Sequence, residues 1–282
     1  LKKPLCVSVF VFGSYTRFIP YYVYSVLKSY PEYYVKVFTN KPLSRNENKC
    51  LHLIRRNLSD HFEIKEHYFS DHHITDAKVG KAMRFLIPRS EYKDYENAYI
   101  GDVDFLIVKE SPTLLEGHLA HCDKINLPFS NQIRPNSKRL TGLHFFRVKP
   151  YYKTMQSMIK YYRKEKEILN KVLQPMGTNE EFLYQLMKDG FGFGKIEDHP
   201  YRPHHGFHLG IFRTGDHEKK FNIYLKRGST EQIVETPPYP LLRNQLLDFY
   251  SDPLFRKIRE YNPIMELKVL HRLLRRYKDC PK

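Results

Sequence analysis

AYIGDVDFLIV, Ala98 to Val108, is an apolar, strand-like run interrupted by two aspartates. Burying two carboxylates without partners is costly. On an extended backbone, residues two apart point to one side. The spacing therefore predicts that Asp102 and Asp104 converge on one cation or on a metal-bound water. Oxygen ligands of this kind suit Mg²⁺ or Mn²⁺, which bridge to phosphate oxygens. The same pattern is short and common, and it also fits aspartates that cap a turn or a helix.

Outward from this run the elements alternate. Leu5 to Phe12 (LCVSVFVF), closed by Gly13-Ser14, reads as a first strand buried on both faces of a parallel sheet. A helix follows over Phe18 to Tyr30, with Pro20 in its first turn, then a strand at Tyr33 to Thr39. A polar helix over Asn46 to Asn57, a strand near Phe62 to Tyr68 and a helix over Ala77 to Pro88 lead into the Ala98–Val108 strand. This order predicts an α/β fold with an open, mostly parallel sheet, whose ligands collect at the carboxyl ends of the strands. After about residue 215 the alternation stops. Pro237-Pro238-Tyr239-Pro240 then leads to a basic helical tail, so the expected division is a catalytic domain over 1–215 and an extension over 216–282.

Composition sets bounds on the function. A chain of 282 residues with 15% aromatic residues can bury a large core, and disorder is not its default. The formal charge of +16 draws anions: nucleotides, nucleic acid or acidic lipid head groups. Cys6, Cys50, Cys122 and Cys280 lack metal-binding spacing, which argues against a disulfide framework or a zinc site. No run approaches the roughly 18 apolar residues that span a bilayer, and the start lacks the design of a signal peptide. The expected location is the cytoplasm, peripheral to the inner face of a membrane. The chain begins on Leu1 rather than Met, so a lumenal domain whose anchor lies outside these residues stays open.

The segment Met83 to Val108, MRFLIPRSEYKDYENAYIGDVDFLIV, resembles family 8 glycosyltransferases, in which an Arg-bearing helix ends at a Pro and leads to a metal-binding acidic strand. The resemblance implies a GT-A, Rossmann-like nucleotide-sugar fold. Arg84 would contact the nucleotide sugar, and Asp102 and Asp104 would hold the metal and the ribose or diphosphate. Gly101-Asp102 departs from the family's apolar-Asp start, and Arg84 also fits a plain helix-surface cation. Phe12, Gly13 and Tyr15, after the first strand, fall among the expected nucleotide-binding residues. RLTGLHFFR, Arg139 to Arg147, resembles the family's small-residue turn under the donor sugar, with Gly142 where the backbone comes close.

GTNEEFLYQLM, Gly177 to Met187, begins a helix capped by Thr178 or Asn179, with two acids in its first turn. It is similar to the Asp-Gln-Asp segment of family 8 and to the His-Asp-Glu segment of family 6, the blood-group-type transferases. There Glu180 takes the position beneath the anomeric carbon, Asn179 replaces the Asp and Thr178 the His. An Asn is no base, so an acid role rests on Glu180 or Glu181. PYRPHHGFHLGIFR, Pro200 to Arg213, offers two matches to the family's His-aromatic-x-Gly segment: His208 with Arg213 first, His205 second. His208 would complete the metal shell, and Arg213 would meet the diphosphate.

The resemblance implies metal-dependent transfer of a hexose from a nucleoside-diphosphate sugar, UDP foremost, to a hydroxyl of a glycan or lipid-linked glycan, with retention. Inverting enzymes also use an acidic pair, with a carboxylate as base. A competing reading is a non-catalytic basic module that binds nucleic acid or anionic membrane. It explains the charge but not the order of the motifs, and no specific nucleic-acid partner is expected. A metal-dependent nuclease or phosphatase would want more acids. In the tail, Ile264, Leu267, Leu270, Leu274 and Tyr277 form one helical stripe, with Lys268, Arg272, Arg275 and Arg276 opposite. Such a helix packs on the catalytic domain, attaches to an anionic membrane, or does both.

Overall fold

The computed structural model describes residues 2–70, 77–201, 205–230 and 239–279. Strand β1 (Lys3–Val11) is the centre of the main sheet, and helix α1 (Ile19–Ser29) carries the chain back to β2 (Tyr34–Thr39), parallel to it. Helix α2 (Arg45–Asn57), started by a Ser44/Glu47 capping box, leads to parallel β3 (Phe62–Lys65). Then α3 (Ala77–Ala82) and a 3₁₀ turn, Met83–Leu86, precede β4 (Tyr95–Ile100), which pairs parallel with the other edge of β1.

The expected strand over Ala98–Val108 is two strands. β4 ends at Ile100, residues 101–104 turn, and β5 (Phe105–Ile107) joins a separate sheet. The two charges therefore leave the buried ladder where it would have no partners for them. Gly101 makes the exit possible, since a Cβ there would press on the Tyr22 hydroxyl. Two further expectations are corrected in the same region. The helix over Ala77–Pro88 is α only to Ala82, and β3 stops at Lys65 rather than Tyr68.

Helix α4 (Leu114–Ile125), with a Thr113/Glu116 capping box, leads to β6 (Phe129–Ser130) and β7 (His144–Arg147), which add to the sheet antiparallel. The strand order is β3-β2-β1-β4-β7-β6, so the sheet is parallel over its first four strands. Helices α5 (Val148–Lys164), α6 (Lys166–Leu173) and α7 (Asn179–Gly190) follow. β8 (Gly206–His208) then returns to pair antiparallel with β5. Leu5, Val7, Val9 and Val11 of β1 enter one core with α1, while Cys6 and Phe10 enter another with α5 and α7. Burial on both faces is why β1 reads as an unbroken apolar run.

Helices α8 (His217–Thr230), α9 (Tyr239–Ser251), α10 (Pro253–Tyr261) and α11 (Met265–Arg276) close the chain. Ile264, Leu267, Leu270 and Leu274 are buried in the core that holds α1, and Lys268, Arg272, Arg275 and Arg276 are exposed. Arg17 holds Glu266 at 2.7 Å, and the amide of Asn262 donates to the Arg17 carbonyl. The apolar stripe of the tail thus packs inward. Pro237-Pro238, His204 and Cys280 lie outside the described residues. Among the described residues, no helix is long and apolar enough to cross a membrane.

Candidate active site

At the carboxyl edge of the parallel strands, a cleft is lined by Phe12 and Tyr15 after β1, by Asp102 and Asp104 after β4, and by Lys81 and Arg84 from the α3 region. Asn179 and Glu180 from the start of α7, with His208 and Arg213, complete the charged wall. Eight of the residues expected from the sequence therefore meet in one place: Phe12, Tyr15, Arg84, Asp102, Asp104, Glu180, His208 and Arg213. They come from segments spread over most of the chain, and the carboxyl ends of β1 and β4 are what gather them.

Asp102 accepts a hydrogen bond from Nη1 of Arg84, which also donates to the Gly101 carbonyl at 3.3 Å. Arg84 is buried on its 3₁₀ turn, and its Nε has no partner in the described structure. It is a site cation rather than a helix-surface one. Gly142 lies outside the cleft lining but touches this guanidinium, because a Cβ on Gly142 would overlap Nη2 of Arg84. The close approach permitted by Gly142 is thus to Arg84. Gly13, also outside the lining, has φ +64° and turns the chain from β1 into the 3₁₀ segment that carries Tyr15.

Asp104 is buried, and its Oδ2 lies 3.2 Å from Nε2 of His208 and 3.5 Å from Nη2 of Arg213. The His208 ring stacks on Phe105 at 4.7 Å, and the Leu209 amide donates to the Asp104 carbonyl at 2.7 Å. Backbone pairing of β8 with β5 therefore brings the imidazole to the acid. A Cβ on Gly210 would run into Asp104 Oδ2, His208 Nε2 and Arg213 Nη2 together. Carboxylate, imidazole and guanidinium converge on one point because residue 210 has no side chain. Arg213 donates through Nε to the Gly210 carbonyl and lies over the Tyr15 ring, and burial lowers its pKa from the ordinary arginine value.

Glu180 lines the same cleft as the acidic turn, and its Oε1 is held by Nη2 of Arg134 at 2.8 Å. Glu181 lies elsewhere: its carboxylate accepts from the Gly177 amide at 3.2 Å, closing the turn before α7. Thr178 is the cap residue by backbone conformation but makes no side-chain cap bond. Asn179 is buried, with its Nδ2 unpartnered in the described structure, at the cleft wall. His205 is not at the cleft; its ring is buried against His118 and Glu110. Of the two histidines weighed from the sequence, only His208 reaches the acid pair.

Sequence reasoning missed Lys81 and Arg134, and it used Asn179 only as a substitution in a motif. Lys81 carried a faint signal, since it lies one helical turn before Arg84. Arg134 carried none, because its link to Glu180 is purely tertiary. Among the described residues no group of three or more His, Cys, Asp or Glu side chains is poised around a metal position. At the cleft Asp104 and His208 form an oxygen–nitrogen donor pair, and Asp102 is bound to Arg84. Such a pair would fit a divalent ion that accepts one imidazole nitrogen and takes its remaining ligands from phosphate oxygens and water.

No known family model matches the chain, and no curated protein does. Solved glycosyltransferases are similar in fold at low identity. The apo form of the glycosyltransferase GlyE of Streptococcus pneumoniae TIGR4 matches at 10% identity and a TM-score of 0.48, over 97% of this chain and 64% of that one. The bifunctional glycosyltransferase WbbM, also in an apo structure, matches at 9% and 0.45, over 96% of this chain and 52% of its own. The galactosyltransferase LgtC, in complex with donor and acceptor sugar analogues, matches at 12% and 0.37, over 60% of this chain and 70% of its own. The chain thus spans less than two thirds of GlyE and about half of WbbM. At these scores the likenesses carry no argument about activity.

Proposed function

We propose that this chain is a GT-A glycosyltransferase that moves a hexose from a nucleoside-diphosphate sugar, UDP foremost, to a hydroxyl of a glycan or lipid-linked glycan, with retention. Residues 1–215 are its catalytic part and 216–282 its helical extension. One observation carries the reading: Asp104, His208 and Arg213 converge over Gly210, in a cleft also lined by the Arg84–Asp102 pair and by Glu180. With Lys81 on the same wall, the cleft offers a divalent ion two protein ligands and a diphosphate three cations (Lys81, Arg84 and Arg213), and Glu180 adds one carboxylate to the lining. At about 180 Å³ the cleft is smaller than pockets that enclose a drug-sized ligand. It suits the diphosphate and the reacting end of the sugar.

Mn²⁺ or Mg²⁺, held by Asp104 and His208 with Asp102 adjacent, would offset the charge that develops on the leaving diphosphate. Arg84 and Arg213 orient the phosphates and stabilise the same charge with preorganised donors. Glu180, fixed by Arg134 at the cleft wall, would act on the sugar or the acceptor hydroxyl. Asn179 offers an unused amide donor to a sugar hydroxyl. The expected result is a thermal upshift with UDP plus Mn²⁺ that neither gives alone, followed by nucleotide release from a panel of UDP- and GDP-sugars. Steeply salt-dependent binding to DNA or RNA with no nucleotide effect would instead favour the basic, non-catalytic module.

The exposed basic face of α11 supports a second element of the proposal, attachment to an anionic membrane that presents lipid-linked acceptors. It is compatible with the buried apolar stripe, because the charges lie on the opposite face.

A further inference from the structure

Five side chains outside the cleft lining form a hydrogen-bonded row that links α4, β6 and the ends of β5 and β8. Glu110 Oε2 lies 3.1 Å from His205 Nδ1, and His205 Nε2 lies 2.8 Å from His118 Nε2. His118 Nδ1 is 2.7 Å from Ser130 Oγ, which is 2.8 Å from His121 Nδ1. His121 Nε2 ends the row 2.7 Å from the carbonyl of His199. The rings of Tyr99, Phe145 and Tyr201 pack against these histidines and limit access of water.

One proton order satisfies every contact. A carbonyl only accepts, so His121 carries hydrogen on Nε2 and, when neutral, offers a lone pair at Nδ1. The Ser130 hydroxyl donates to that lone pair, so its oxygen accepts from His118 Nδ1–H. Neutral His118 then presents a lone pair at Nε2, which His205 fills with Nε2–H. A neutral His205 would turn its remaining lone pair on the Glu110 carboxylate, so one further proton lies between Glu110 Oε2 and His205 Nδ1. Neutral His118 and His121 agree with their burial, which pushes the first well below the usual histidine range and the second to about 4.

We infer that this proton-ordered row is a clasp that sets the register of the β5–β8 sheet and so positions His208 against Asp104. His205 immediately precedes β8, with φ +53°, and its carbonyl accepts from Val108 at the far end of β5. From that anchor the pairs run Gly206–Ile107, Phe207–Leu106 and His208–Phe105, which delivers the His208 ring to the residue after Asp104. Gly206 allows the tight approach, since a Cβ there would overlap the Leu106 carbonyl. A slip of one residue would turn His208 to the other face. Glu110 and His205 are therefore positioning residues. Their importance for the reaction rests on the reading of Asp104 and His208 as the cation ligands.

The test is nitrogen-15 histidine NMR of the full chain near neutral pH. The expected pattern is His118 as the Nδ1–H tautomer and His121 as the Nε2–H tautomer; the opposite tautomer at either ring would overturn the proton order. Register is read without metal from the His208 ring resonances, which stacking on Phe105 displaces. Glu110→Gln keeps a donor toward His205 Nδ1 and should leave them in place, whereas Glu110→Ala should move them. Equal effects of the two variants, or no effect of Glu110→Ala, would sink the clasp. If Glu110→Ala does not fold, Ser130→Ala breaks the same row by removing one oxygen and is read in the same way.

Paramagnetic broadening of His208 by Mn²⁺ with UDP is a separate measurement. Glu110→Ala should need about tenfold more Mn²⁺, the scale expected for residues that orient a ligand. Absence of broadening in the parent protein would count against the cation reading while the tautomers and resonances still decide the clasp.

Discussion

Arg84 and Gly142 are far apart in the chain and touch in the fold, so the space left by a missing side chain fixes the position of the guanidinium that holds Asp102. Gly142→Ala should displace Arg84 and weaken UDP–Mn²⁺ binding by about tenfold, roughly 1.4 kcal/mol, with little change in melting temperature. Titration calorimetry beside a thermal melt measures both, and unchanged affinity would show that Arg84 does not meet the nucleotide. Asp104 meets a different demand: it contacts His208 and Arg213, and in the proposed function its charge would hold the cation. Asp104→Asn keeps the shape and removes the charge, so Mn²⁺-dependent turnover should fall by about 100-fold or more. Near-normal turnover with Mn²⁺, or full activity of the parent in EDTA, would refute the metal-bridged diphosphate.

Among the elements, α7 places Glu180 in the cleft while Glu181, one residue on, closes a turn outside it. Glu180→Gln should lower kcat by about 100-fold with donor KM little changed, as for a group that acts mainly in the transition state. An equal loss on Glu181→Gln would contradict the assignment. Helix α4 and strand β7 impose a pH dependence. Burial, with smaller contributions from neighbouring charged groups, holds His118 far down, His121 at about 4 and His144 at about 3. The unfolded chain takes up protons that the folded one refuses. Stability is therefore complete above about pH 6.5 and declines as pH falls toward 4, by roughly 3 kcal/mol for His121 alone. Urea midpoints measured at pH 7, 5.5 and 4.5 should descend, and a flat profile would show that these rings are not held neutral.

At the scale of the molecule, α11 supplies Leu267, Leu270 and Leu274 to the core that holds β1 and α1. Deleting the tail would strip that core, so attachment to membranes is better tested on the exposed face. Lys268→Glu, Arg272→Glu and Arg275→Glu combined should abolish sedimentation with anionic vesicles at low salt and leave the melting temperature nearly unchanged. Each basic residue near such a surface contributes about 1 kcal/mol. Equal sedimentation of the variant and parent, or binding to neutral vesicles alike, would remove this face as the anchor.

The sequence by itself determined the order β1–α1–β2–α2–β3, the end of the strands before residue 215 and the presence of an acid pair. Each of these is written in the periodicity of local burial: β1 is buried on both faces, α11 on one, and two aspartates stand out against apolar neighbours. Tertiary structure decided where the acids point. The run from Ala98 to Val108 is continuous in hydropathy, yet it divides between two sheets, because β5 finds its partner in β8, about a hundred residues later. The same pairing separates His208 from His205, the first and second matches that the family resemblance offered. Arg134 on Glu180, Gly142 under Arg84 and the row from Glu110 to His121 likewise join residues distant in the chain. Local pattern records whether a side chain is buried; which distant group it meets is fixed only when the sheets and helices pack.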